Sequence, residues 1–198
     1  MLLSHFYVVL QTTVTLNNTG RNLEMTLDDH ADSYVNVTGG PLAYQYRIQV
    51  IGYNSDLYYN RSQADTSSNG MFGIAVFIQI GEQTNDELNI LLPHLDKVTY
   101  RGQKVRVNNF MIADILPYTD QYVTYEGSLT KPGCHESVTW IVYNKPIYAS
   151  REFMDALRSL MVGSSAEDPK RSIGNNFRHL APLNNRPIRT NIDFTYSV

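Results

Sequence analysis

The sequence is short of cysteine, of long apolar runs and of net charge. Cys134 is the only cysteine among 198 residues, so no disulfide can form within the chain. No apolar run approaches the ~20 residues that a membrane-spanning helix needs. The net charge is −3, and acidic and basic residues are interspersed along the sequence. This balance argues against a nucleic-acid surface or a polybasic membrane patch, so we expect neither nucleic acid nor a membrane span.

Histidine is also scarce, and its spacing gives no metal-binding motif. The five histidines are His5, His30, His94, His135 and His179, and no two of them are spaced as H-x-H or H-x-x-H. No Ser-His-Asp or Cys-His arrangement can be argued from spacing either. Cys134 and His135 are adjacent, but neighbours on an extended chain point to opposite faces. Taken from the sequence alone, Cys134 is most simply a small buried residue.

The sequence contains many short β patterns. Tyr122–Tyr125 is aromatic and β-branched, and Val138–Tyr143 alternates, which predicts two strands around a turn-rich loop. Met71–Ile80 is nearly all apolar, which is typical of a strand covered on both faces. Val14–Leu27 predicts a strand pair around a turn, and Asp28–Ser33 predicts a polar loop.

Helical patterns are fewer. Arg151–Met161 carries one apolar stripe, and Ser150 can cap its first turn. A weaker pattern predicts a helix from Asp86 to about Leu95, and Val98–Val107 predicts strand, turn and strand. Together the patterns predict an α+β chain that is mostly β, with one large, twisted, mainly antiparallel sheet and short peripheral helices.

The stretch YVTYEGSLTKPGCHESVTW resembles the active-site floor of the α-class carbonic anhydrases. The matching positions are Tyr122, Tyr125, Gly127, Ser128, Leu129, Thr130, Pro132, Glu136, Val138 and Trp140. Shorter matches are Gly39-Gly-Pro-Leu, Asn176-Phe-Arg and Pro182-Leu-Asn-Asn-Arg. The runs GYNSDLY (Gly52–Tyr58) and RPIRTNIDF (Arg186–Phe194) are most similar to the carbonic anhydrase-related proteins ten and eleven. These relatives are secreted and catalytically silent.

The resemblance implies one domain, residues 16–198, with the broad twisted sheet of the family. Residues 1–15 stay unassigned: they are apolar enough for part of a signal segment, but they lack a basic start and a clear cleavage site. Between Ile48 and Gln49 the chain lacks a central strand–loop–strand segment that the family has. Because a domain is stable by only about 5–15 kcal/mol, this loss predicts poor folding or a gap at the centre of the sheet.

The resemblance also implies that a zinc site has been lost. In the family three histidines hold Zn²⁺, and an open fourth position takes the water that attacks carbon dioxide. The absent segment would carry two of these histidines, and the third ligand position corresponds to Gln49. An amide oxygen is a poor zinc ligand beside imidazole. Arg21 stands near the position of the proton shuttle, and arginine cannot cycle its proton at neutral pH.

Other positions of the family's site remain by resemblance. Thr130 corresponds to the threonine that bonds to zinc-bound hydroxide, and Leu129, Ile51 and Trp140 correspond to positions lining the carbon dioxide pocket. Lys131 replaces a small polar residue and would add charge at the mouth. Each has a simpler interpretation: Thr130 and Leu129 keep the loop geometry, and Trp140 fills the core.

Three N-x-S/T sequons, at Asn17, Asn36 and Asn60, suggest secretion and N-glycosylation. Extracellular members of the family carry a cysteine at the position of Cys134, bridged to one near the N-terminus. This chain has no second cysteine. Cys134 is therefore either free, or its partner belongs to a segment that this chain lacks.

We therefore predict a catalytically inactive carbonic anhydrase-related protein without a cofactor, secreted as a glycoprotein and acting as a protein-binding module. The resemblance implies neurexins, which are presynaptic adhesion proteins, as partners. The alternative is a zinc-dependent carbonic anhydrase, a hydro-lyase, whose ligand strands are missing from this chain. A third hypothesis is a non-functional fragment that is never secreted. Gln49 separates the first two, because restoring the missing segment would still leave two histidines at best.

Overall fold

The computed structural model describes residues 12–27, 30–38, 46–174, 176 and 181–195. Within these ranges one ten-stranded sheet is accompanied by short helices. The strands are β1 Thr12–Asn18, β2 Leu23–Leu27, β3 His30–Thr38, β4 Tyr46–Tyr53, β5 Met71–Ile80, β6 Lys104–Phe110, β7 Tyr122–Gly127, β8 Val138–Tyr143, β9 Ile147–Ala149 and β10 Arg189–Thr190. The helices are α1 Arg61–Ala64, α2 Asp86–Asn89, α3 Leu92–Leu95 and α4 Arg151–Arg158, with 3-10 helices at Asp96–Val98 and Ile112–Ile115.

Several predicted features lie outside the described residues. They are residues 1–11 of the unassigned leader, the Gly39-Gly-Pro-Leu turn, the Phe-Arg pair after Asn176, and the two histidines His5 and His179. β1 begins at Thr12, four residues before the start of the predicted domain. In the part of the chain that the structure describes, no helix is both long and apolar enough to cross a membrane.

β1 and β2 form because every second side chain is buried. Val14, Leu16 and Asn18 of β1 are buried, and the residues between them are half-buried. The same alternation places Leu16 opposite Met25 of β2 in an antiparallel pair. The turn is closed by Thr19, whose backbone N–H donates to the Asn22 carbonyl at 3.1 Å. The strand pair predicted within Val14–Leu27 is confirmed.

The strands lie in the order β10-β7-β8-β5-β4-β3-β2-β1-β6, and β9 pairs with β5 beside this path. β5 pairs in parallel with β8 and with β9, and the other pairs between the described strands are antiparallel. The predicted strands at Met71–Ile80, Tyr122–Tyr125 and Val138–Tyr143 are β5, β7 and β8. The predicted mostly β architecture with a mainly antiparallel sheet is confirmed.

β3 and β4 occupy the region where the sequence predicted a gap. The loop predicted for Asp28–Ser33 is wrong from His30 onward, because β3 pairs with β2 on one edge and with β4 on the other. Pairing on both edges supplies the backbone hydrogen bonds, so a polar sequence is tolerated in a strand. β4 runs through the Ile48–Gln49 junction without a break and pairs with β5 over its whole length. The described strands therefore form a continuous sheet without a central gap.

The helical predictions hold in part. The Oγ of Ser150 caps α4 by accepting the Phe153 N–H at 3.2 Å, as predicted. α4 ends at Arg158, before the predicted end at Met161, which instead forms an isolated bridge with Ser172. The helix predicted from Asp86 to Leu95 is broken into α2 and α3, and Pro93 cannot donate a hydrogen bond within it.

The strand predicted to begin at Val98 is also wrong. Val98 ends a 3-10 helix, and the strand begins only at Lys104. The carbonyls of Val98 and Thr99 both accept hydrogen bonds from the buried side chain of Asn18. These carbonyls therefore do not pair with a neighbouring strand: the Asn18 amide bonds to both, and the Met161 N–H also donates to that of Thr99 at 2.7 Å.

Each face of the sheet carries an apolar cluster. The larger cluster includes residues of the first five strands and of α2, α3 and α4, with Phe110 and Phe153 fully buried. The smaller cluster lies where β4, β5 and β8 meet the loop after β7. Its buried members are Ile51, Ala64, Met71, Ala75, Leu129, Val138 and Trp140. We call the side of the sheet with this smaller cluster the site face.

Candidate functional site

Gln49 lies on the site face and is hydrogen-bonded to Thr130. Alternation along β4 places Gln49 and Ile51 on the same face, opposite Ala75 and Gly73 of β5. Gln49 is only 1% exposed. The Thr130 hydroxyl donates to Oε1 of Gln49 at 2.8 Å. The two residues that the resemblance assigned to the third metal ligand and to the hydroxide partner are thus bonded to each other.

The loop between β7 and β8 holds Thr130 in this place. The indole N–H of Trp140 donates to the Ser128 carbonyl at 3.1 Å, and the Leu129 N–H donates to the His135 carbonyl at 3.0 Å. Leu129 and Trp140 are 2% and 4% exposed. The structure therefore brings together the four predicted site residues Gln49, Leu129, Thr130 and Trp140. It also supports the simpler interpretation that Leu129 and Trp140 are core residues.

Two glycines make room for the Trp140 ring. A Cβ at Gly73 would lie 2.5 Å from Cζ3 of Trp140, and a Cβ at Gly127 would lie 2.8 Å from Cδ1. Distances this short are incompatible with any larger residue unless the ring moves. The ring therefore packs directly against the backbones of β5 and β7.

A row of polar positions crosses the sheet to Gln49. The register aligns Lys104 with Asn17, Asn17 with Glu24, Glu24 with Asn36, and Asn36 with Gln49. Neighbouring strands are about 4.8 Å apart, so the row extends for roughly 19 Å over five strands. The sheet therefore carries an extended polar band on one side of Gln49, while Ala75 and Val142 continue the row beyond it.

Lys131 brings a charge next to Thr130, as the sequence suggested, and the structure pairs it with α1. Nζ of Lys131 lies 3.7 Å from Oδ2 of Asp65, and Nε of Arg61 lies 3.8 Å from Oδ1 of the same carboxylate. Burial lowers the pKa of Lys131, and the positive charge of Arg61 lowers it further, while Asp65 and Glu24 act in the opposite direction. The mouth of the site thus carries a network of opposite charges.

Arg47 is a half-buried cation two residues before Gln49 on β4. Burial lowers the pKa of its guanidinium, and the charge of Tyr125 acts in the opposite direction. Arginine nevertheless keeps its proton at neutral pH. Sequence reasoning missed Arg47, although the period of two along β4 places it on the face of Gln49. It also missed Asp65, although Arg61 and Asp65 have the i, i+4 spacing of a helical ion pair.

The residues of this site do not fit a catalytic zinc ion. Such a site needs three imidazole, thiolate or carboxylate ligands in a tetrahedral arrangement. Among the residues that the structure describes, no three His, Cys, Asp or Glu side chains are grouped to hold a metal. At the third ligand position, Oε1 of Gln49 is neutral and already accepts a hydrogen bond from Thr130. Amide oxygen is also a donor that zinc accepts poorly.

The sequon asparagines, Cys134 and Arg21 differ in their exposure. Asn60 is exposed and caps α1, its Oδ1 accepting the Gln63 N–H at 3.0 Å. Asn17 is half-buried within β1, and the side chain of Asn36 lies outside the described part of the structure. Cys134 has a free thiol, half-buried, whose Sγ donates to the Lys131 carbonyl at 3.4 Å. Arg21 is exposed in the turn between β1 and β2.

Comparison with known proteins agrees with this architecture. The sequence profile of the eukaryotic-type carbonic anhydrases matches residues 43–192. Carbonic anhydrase-like proteins 1 and 2 of Caenorhabditis elegans are each 33% identical to the chain, over 92% and 89% of its length. Carbonic anhydrase 1 of Monodelphis domestica is 37% identical over 83% of the chain. The matches cover 58%, 62% and 61% of these three relatives, so the chain spans about three fifths of their length. The chain belongs to the eukaryotic-type carbonic anhydrase family.

Proposed function

We propose that this chain is a catalytically silent member of the family that acts as a protein-binding module. The main support for this proposal is the hydrogen bond between Thr130 and Gln49. In an active site the metal and its hydroxide would lie between these two positions. Here the amide and the hydroxyl satisfy each other directly, and Gln49 is almost fully buried. The names of the two Caenorhabditis elegans relatives, which are called carbonic anhydrase-like, support the same proposal.

Restoring the third imidazole should not restore a zinc enzyme. In Gln49→His we expect less than stoichiometric Zn²⁺ after dialysis and no carbon dioxide hydration above the uncatalysed rate. One imidazole supplies a single ligand, and catalytic zinc sites have three protein ligands. Metal content is measured by atomic absorption, and hydration by stopped-flow with a pH indicator. Gln79→His, at an exposed position of β5, controls for zinc that binds any added histidine.

The alternative zinc-dependent hydro-lyase makes the opposite prediction. If the unsubstituted chain retains one Zn²⁺ per molecule and hydrates carbon dioxide, catalytic silence is contradicted. Zinc bound equally by Gln49→His and Gln79→His would be adventitious and would leave the proposal standing. Zinc and activity gained by Gln49→His alone would show that the other ligands exist, and would also contradict it.

Secretion, glycosylation and a neurexin partner belong to the same proposal. They rest on the likeness to the carbonic anhydrase-related proteins ten and eleven and on the sequons. Asn60 is the most accessible sequon asparagine whose side chain is described. After expression in secreting cells, we expect a glycosidase-sensitive mass that Asn60→Gln lowers. An unglycosylated chain held inside the cell would favour the non-functional fragment instead. If the purified chain binds no neurexin ectodomain, the proposal of a neurexin partner is wrong.

A further inference from the structure

A shallow groove of about 770 Å³ opens where the end of β5 and the start of β9 meet the loop before β7. It shares no lining residue with the site around Gln49. Three segments line it, residues 81–85, 116–118 and 145–148. None of these segments has a role in the chemistry or in the polar band described above.

Hydrogen bonds hold the segments that line the groove in fixed positions relative to one another. The Asn85 N–H donates to the Tyr148 carbonyl at 2.9 Å, and the Asn85 amide donates to the Asp114 carbonyl at 3.0 Å. Thr84 accepts the Ser150 N–H at 2.9 Å. The Tyr148 ring lies close over Gly81, where a Cβ would be 3.1 Å from its Cδ1. The groove is therefore built before any ligand arrives, which lowers the entropic cost of binding.

The groove presents aromatic rings and prolines to solvent. Tyr118 is fully exposed and Tyr148 is half exposed. Pro117 and Pro146 stand beside them in the lining. Tyrosine offers a large contact area for few rotatable bonds, and it is a preferred anchor in protein interfaces. Grooves lined by aromatic rings are the surfaces on which polyproline II segments dock, because these segments already have the bound conformation.

The charged residues near the groove are mostly acidic, which favours a positively charged ligand. Four exposed carboxylates lie on the lining or within two residues of it: Glu82, Asp86, Asp114 and Asp120. Among the described residues, Lys145 is the only cation in the lining or within two residues of it in sequence. The lining itself holds one acid and one base, so the excess of negative charge comes from Asp86, Asp114 and Asp120. Such an excess of one sign raises the local concentration and the association rate of a ligand with the opposite charge.

We propose that this groove binds a proline-rich peptide segment flanked by basic residues, carried by a protein partner. The proposal rests on the proposed protein-binding function and names the chemistry of the partner segment. Prolines pack between Tyr118 and Tyr148, and an arginine or lysine beside them pairs with Glu82.

The test uses the full chain and a fluorescein-labelled dodecapeptide with a P-x-x-P core and arginine at both ends. Fluorescence anisotropy should show saturable binding, weakened at least tenfold in Tyr118→Ala because anchor residues dominate such interfaces. Tyr59→Ala is the matched control, since Tyr59 is 92% exposed and lies outside the groove. It should bind as the unsubstituted chain does. Glu82→Lys should weaken binding, whereas Glu167→Lys, exposed and outside the lining, should not.

Three results would overturn the groove proposal: no binding by the unsubstituted chain, equal affinity in Tyr118→Ala, or equal binding of a peptide with glutamate in place of arginine. The proposed function is judged separately. A partner ectodomain captured equally by the chain and by Tyr118→Ala would sustain protein binding and overturn the groove as its site. Peptide binding that depends on Tyr118, in a chain that also hydrates carbon dioxide, would sustain the groove and contradict catalytic silence.

Discussion

Asn18→Ala is expected to lower the free energy of unfolding by about 3–5 kcal/mol, because several buried hydrogen bonds are lost together. Asn18 is fully buried. Its amide nitrogen lies 3.0 Å from the Val98 carbonyl, 2.8 Å from that of Thr99 and 3.1 Å from that of Met161. Its Oδ1 accepts the Gly20 N–H at 2.8 Å. Alanine would remove all four bonds, although the Thr99 carbonyl would keep the Met161 N–H, 2.7 Å away, as a second donor.

The substitution would also loosen parts of the chain that are far apart in sequence. Asn18 joins the end of β1 to the 3-10 helix before β6 and to the segment after α4. Urea unfolding followed by circular dichroism measures the loss. Asn108→Ala is the control, because Asn108 is exposed on β6 and its Oδ1 accepts the Thr13 hydroxyl at 3.2 Å in an exposed hydrogen bond. We expect it to cost less than about 0.5 kcal/mol. Equal losses in the two variants would refute the special role of Asn18.

Asn18 illustrates why part of the fold could not be predicted from the sequence. The apolar run of β5, the aromatic and β-branched residues of β7 and the alternation of β8 are properties of neighbouring residues, so pattern alone located these strands. The carbonyls of Val98 and Thr99 turn away from strand pairing toward a side chain about 80 residues earlier. β3 likewise forms because β2 and β4 lie on either side of it. Neither the bonds to Asn18 nor the pairing of β3 can be recognised from residues adjacent in the sequence.

The residues of the candidate site could be predicted from the sequence, but the contacts between them could not. The resemblance singled out Gln49, Thr130 and Trp140, and the structure brings them together. It could not show that Thr130 bonds to Gln49, since this depends on how the loop after β7 meets β4. The network of Lys131 with Asp65 also joins separate elements. The groove could not be predicted from the sequence, because Tyr118 and Tyr148 come from distant segments and only the folded chain brings both into its lining.

Trp140→Ala is expected to be the most damaging substitution on the site face, costing about 3–5 kcal/mol, as large aromatic residues do when truncated in a core. The indole is almost fully buried and fills the space left by Gly73 and Gly127. Those glycines cannot close the cavity, because they have no side chains to move into it. The Ser128 carbonyl would also lose its bond from the indole N–H.

Trp140→Phe keeps a ring in this space but removes the N–H and part of the indole. We therefore expect a smaller loss, about 1–3 kcal/mol, from the missing hydrogen bond and the reduced packing together. Urea unfolding by circular dichroism compares the three chains, since Trp140 is the only tryptophan and its fluorescence is absent from both variants. A loss below about 1 kcal/mol in Trp140→Ala would contradict the packing described here. A large loss would show that the ring whose N–H bonds to the loop carrying Thr130 is also a main source of stability for the sheet. The bond between Thr130 and Gln49 would then lie beside one of the strongest packing contacts of the site face.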